Sequence, residues 1–84
     1  MIHELKCLPI DYRRIRDGSK KFDIRLNDRD FRPYDLILYK EWDPKAERYT
    51  SQLMCVTIRF VLYSHECEGL NSGYVILSIS KRKL

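Results

Sequence analysis

The chain has 84 residues and a mass of 10.2 kDa, with 44% hydrophobic and 33% charged residues. That suits one domain spanning residues 1–84 and excludes a multidomain enzyme. A domain this short buries only about 60–65% of the surface of its unfolded chain, so any ligand is expected in a surface cleft rather than an enclosed chamber. The net charge of +4 and the pI of 9.1 are concentrated in one stretch. Residues 13–32 hold eight basic and four acidic side chains, and the other 64 residues balance.

In chain order, residues 2–7 read as a first strand. Leu8, Tyr12 and Ile15 then recur at helical spacing behind Pro9, and Gly18 marks the stop. From Lys21 the period changes to two. Phe22, Ile24 and Leu26 share one face of a strand, expected to be the inner one, and Lys21, Asp23 and Arg25 share the other, expected to display its charges outward. Asn27 to Asp30 is turn chemistry. Leu36 to Trp42 reads as a strand with Leu36, Leu38 and Trp42 on one face, and residues 43–48 as a hairpin loop. Met54, Val56, Ile58, Phe60 and Leu62 alternate with Cys55, Thr57, Arg59, Val61 and Tyr63, which predicts a long central strand. A polar connection over residues 64–72 precedes a last strand from Tyr74 to Ser80, and Lys81, Arg82 and Lys83 form a basic end. Five strands with mostly non-local pairing and one helix imply a β-rich α+β fold, a small twisted barrel rather than a parallel sheet.

Candidate chemistry is sparse. The three cysteines, Cys7, Cys55 and Cys67, form no paired motif, so reduced thiols in a cytoplasmic protein are expected. Met1 to Lys6 contain no apolar run and meet an acid at Glu4, so no secretory leader is expected, and no segment has the apolar length for a membrane helix. His3 with Cys7, and His65 with Cys67, supply too few ligands for a structural zinc, and His65 and Cys67 lie in a polar loop rather than a catalytic setting. Neither a metal nor a cofactor is expected. The informative stretch is Gly18 to Asp30. A helix stop, a strand bearing Lys21, Asp23 and Arg25, and a turn bearing Arg29 make a basic wall that could grip a phosphate, with Asp23 holding Arg25 in register or accepting from a base edge. From the residues alone, a surface strand laced with ion pairs is an equal reading.

Gly18, Lys20, Phe22, Asp23, Ile24 and Arg25 resemble the Gly-x-Lys-x-Phe-(Glu/Asp)-Ile-Arg signature of ASCH domains, part of the PUA-like superfamily of RNA-binding pseudo-barrels. The chain is most similar to the phage and bacterial branch called domain of unknown function 3850. Three further segments carry that similarity in the same order: His3 to Lys6, Asn27 to Phe31 and Gly73 to Ile79. The resemblance implies a curved barrel of five to six strands with one or two short helices, and a cleft between helix and barrel for RNA or a modified nucleotide. It implies Lys20, Asp23 and Arg25 as cleft residues, with Arg29 at the rim; Lys21 on the same strand is expected to bind with them, and Tyr74, or Tyr12 if it is not the core residue its helix stripe suggests, could stack a base. The pattern departs at Asp23, where Glu is usual, at Lys21, where Thr is common, and at Tyr34, where Gly is frequent. One ASCH branch hydrolyses acetylated cytidine with a motif Lys, a Thr at the position of Asp23 and a later Glu. With no hydroxyl at 23, the resemblance favours RNA binding; the alternatives are a small hydrolase using Lys20 with Asp23 or Glu41, and a protein-interaction module of phage origin.

Overall fold

The computed structural model describes residues 1–82; Lys83, in the expected basic end, lies outside them. The elements are β1 (Ile2–Cys7), α1 (Pro9–Asp17), β2 (Phe22–Leu26), β3 (Leu36–Asp43), β4 (Arg48–Tyr63), a 3₁₀ turn (Ser64–Glu66) and β5 (Tyr74–Lys81). They build one five-stranded sheet in the order β1-β3-β4-β5-β2, curled into a half-barrel with α1 beside it. The sheet is mixed. β1 pairs parallel with β3, so the chain crosses between them through α1 and β2, while the other pairs are antiparallel.

The core fills the concave side. Leu5 and Cys7 of β1, Ile37 and Tyr39 of β3, Val56, Ile58 and Val61 of β4, and Val75, Leu77 and Ile79 of β5 are buried against Tyr12 and Ile15 of α1. Pro9 opens α1, where its missing N–H costs nothing, and Gly18 closes it at φ +86°, a left-handed conformation that suits a residue without a side chain. The Asn27 carboxamide accepts the Phe31 N–H at 2.9 Å, closing the turn that carries Phe31 into the core. There the Phe31 ring lies edge-on to His3, 4.8 Å between centroids, and His3 Nε2 lies 2.8 Å from Asp35 Oδ2. Segments distant in the chain, His3 and Asn27 to Phe31, are thus one packing unit.

Two facial assignments differ from the sequence reading. On β2 the charged face points in. Asp23 is buried, whereas Phe22, Ile24 and Leu26 are each about half exposed, at 48%, 50% and 49%. The physical reason is that Tyr39 and Arg25 satisfy the Asp23 carboxylate, so burying it costs little. On β3, whose core face the sequence left open, Ile37 and Tyr39 are the core residues. On β4 a register shift between Ile58 and Phe60 turns Phe60 and Leu62 outward and brings Val61 into the core. A bulge adds one residue to one strand, so alternation continues with its faces exchanged.

Candidate nucleic-acid interface

β1 and β2 are the two ends of the sheet, and the curl brings them toward each other across the open seam of the half-barrel. Arg25 bridges that seam. Its Nη2 donates to the Lys6 carbonyl of β1 at 3.2 Å, and its Nε donates to Asp23 Oδ2 at 2.9 Å. The same carboxylate oxygen accepts the Tyr39 hydroxyl at 2.6 Å. A guanidinium carries five N–H groups, so the other three of Arg25 remain for the two hollows it lines.

The first hollow, about 330 Å³, lies between the start of α1 and β2 and is lined by Lys6, Leu8, Asp11, Lys20 and Phe22 to Arg25. The second, about 250 Å³, continues past Lys6 and Arg25 to Leu26, Asp28, Arg29 and Phe31. Together they form a groove along the seam. Lys20 reaches it because Gly18 reverses the chain at the end of α1; the Lys20 N–H donates to the Arg14 carbonyl, and its Nζ donates to Asp11 Oδ1 at 3.0 Å.

Charge in the groove is held firmly. Burial works against the Arg25 cation, but the adjacent Asp23 carboxylate outweighs it and holds the guanidinium pKa above its usual value. Burial, reinforced by Asp23, raises the Tyr39 phenol well above its usual 10. Cys7, below the groove, is pushed from 9.0 up to about 11 by burial and by Asp23 and Asp11, which leaves its thiol protonated and unreactive at neutral pH.

The expected site residues divide. Lys20, Asp23 and Arg25 come together, and Arg29 lines the adjoining hollow beside Asp28, its Nε 4.0 Å from that carboxylate. Lys21 is exposed and faces a separate hollow of about 200 Å³ near Gly18 and Lys81. Neither suggested stacking tyrosine reaches the groove. Tyr12 is in the core, and Tyr74 stands on the outer face paired with Leu26. The suggested hydrolytic partners are committed elsewhere: Asp23 as above, and Glu41 as acceptor from Thr50 at 2.7 Å. His65 stacks on Tyr63 instead of meeting Cys67. Among the described residues, no group of three His, Cys, Asp or Glu side chains is placed to hold a metal ion, and no helix is long and apolar enough to cross a membrane.

Sequence reasoning missed Tyr39, Lys6 and Asp11. For Tyr39 no pattern could have served, because residues 36–39 are apolar or aromatic at every position and either face could have been the core. Asp11 carried a usable signal: it precedes Tyr12 and Ile15 on a helix that Gly18 folds back upon.

The molecule is therefore a small mixed-sheet half-barrel with an arginine-bridged groove along its seam. A family model described as a domain of unknown function, DUF3850, matches residues 2–79, and the chain belongs to that family. No curated protein matches the sequence.

Proposed function

We propose that the groove binds RNA or a nucleotide and that Arg25 is its principal phosphate contact. The observation that carries this reading is the chain of contacts from Tyr39 to Asp23 to Arg25. A guanidinium fixed by a buried carboxylate loses little freedom when it meets a phosphate, and its planar fork fits two phosphate oxygens at once. Lys20 and Arg29 flank it in the groove, and Lys6 joins the two hollows. Half-paired cations beside a narrow groove suit a flexible single strand, whose phosphates and bases can enter separately, better than a rigid duplex. The resemblance to ASCH domains points to the same class of ligand.

The test is a fluorescence-anisotropy titration of single-stranded RNA, with a DNA oligomer of the same sequence, against the wild type, Arg25→Lys and Arg29→Ala. Arg25→Lys keeps the charge but loses the fork, and is expected to weaken binding by about tenfold or more while keeping a cooperative thermal transition. Two or three phosphate contacts would give a slope of log affinity against log salt of roughly −1.5 to −2 for a single strand. No binding at physiological salt, or equal binding by the wild type and both variants, would contradict the reading.

A further inference from the structure

The outward face of the sheet over β4, β5 and β2 is apolar, and its β2 edge borders the groove, whose hollows Phe22, Ile24 and Leu26 also line. Pairing register aligns Phe22 with Ser78 and Phe60, Ile24 with Ile76 and Leu62, and Leu26 with Tyr74. Phe22, Ile24, Leu26, Phe60 and Tyr74 expose between 37% and 55% of their surface. Leu62 and Ile76 lie half-buried between them. These rows contain no Lys, Arg, Asp or Glu. Two charges border the rows: Lys20 Nζ lies 5.6 Å from the Phe22 ring centroid at the groove edge, and Arg59, at the bulge, donates from Nε to Ser80 Oγ at 2.9 Å.

We propose that this face is the interface of a twofold-symmetric dimer with a second copy of the chain. Three features favour that occupant. An uncharged face offers nothing to an acidic or basic partner, whereas it matches an identical uncharged face across a twofold axis. Apart from Lys20 and Lys21 at the Phe22 corner, the basic residues responsible for the net charge lie in α1, the groove and the turn after β2, so two copies meet with little of their excess charge opposed. Finally, taking an aromatic side chain as ~150–250 Å², the exposed fractions amount to roughly 500 Å² per copy. Two copies would then bury about 1,000 Å² in the apolar centre alone, the area at which specific interfaces begin. Pleated sheets pack face to face at about 10 Å, and on β2 Asp23 and Arg25 alternate to the side away from the contact.

The proposal is independent of what the groove binds. Sedimentation velocity over a wide concentration range tests it. The wild type is expected to move from 10.2 kDa to twice that mass as concentration rises. Ile24→Lys and Phe60→Lys, on different strands, are each expected to weaken association at least about tenfold, equivalent to about 1.4 kcal/mol, while keeping the far-ultraviolet circular dichroism of the wild type. Arg29→Ala, in the groove, is expected to associate as the wild type does. If a lysine variant loses its thermal transition, Ile24→Thr and Leu26→Thr, which keep strand-favouring residues, decide the matter. A wild type at single-chain mass at every concentration would overturn the proposal, as would folded face variants that dimerise undiminished.

Discussion

Tyr34 occupies a backbone conformation that its side chain disfavours. Its φ is +73°, its N–H donates to the Ile58 carbonyl at 2.7 Å, and its ring is 77% exposed. The frequent glycine of the resembling sequences thus has a physical reason, since a side chain in the left-handed region costs about 1–2 kcal/mol. Tyr34→Gly removes that strain and loses little packing, while the freer unfolded chain takes back about 0.5–1 kcal/mol. The expected net gain is about 0.5–1 kcal/mol by urea denaturation, and a loss of stability would show that the exposed ring makes contacts that matter. A second prediction concerns pH. Cys7 holds its proton to about 11 when folded but to about 9.0 when unfolded. Its contribution is therefore fully present below 9.0 and is lost as pH rises toward 11, because the unfolded chain then binds fewer protons than the folded one. Two units correspond to about 2–3 kcal/mol, and the raised phenols of Tyr39 and Tyr12 extend the loss above 10. Urea midpoints should fall between pH 9 and 11 in the wild type and fall less in Cys7→Ala. A level wild-type profile would contradict this.

At the scale of elements, strands and helix were legible while faces were not. β1, α1 with its stop at Gly18, β5 and the turn at Asn27 lie where propensity and turn chemistry put them, because each is a local decision. β2 shows what alternation leaves open. A period of two separates Asp23 and Arg25 from Phe22, Ile24 and Leu26 but does not say which set meets the core, and a slip of one residue exchanges them. The decision came from Tyr39, which supplies a hydroxyl to Asp23 from a strand remote in sequence. The bulge at Arg59 is equally silent, since Phe60 and Leu62 continue the alternation of Val56 and Ile58 on what has become the opposite face. Both surprises have one structural result: β2 contributes charge to the groove and apolar surface to the outer face.

At the scale of the molecule, the groove exists because a five-stranded sheet curls far enough for its end strands to face each other without pairing. Lys20, Asp23 and Arg25 were legible as a group because they lie within six residues, whereas Lys6 and Asp11 enter only when the seam closes. The basic excess of residues 13–32 was legible too, but its pairing with Asp11, Asp23 and Asp28 was not, and that pairing leaves a groove of directed donors rather than a broad positive field. The central claim is that Arg25 meets the phosphate of an RNA strand or nucleotide in this groove. Its Nε–H, held by Asp23, is expected to be protected from exchange and visible by nitrogen-15 NMR, which makes it a reporter inside the site. The most direct measurement follows that resonance during titration with short single-stranded RNA. A saturable shift of the Arg25 Nε–H is expected together with the amides of Lys20 and Arg29, with no shift at Leu62 or Ile76 beyond their strand neighbours'. An unmoved Arg25 Nε–H at saturating RNA, or shifts centred on the outer face, would contradict it.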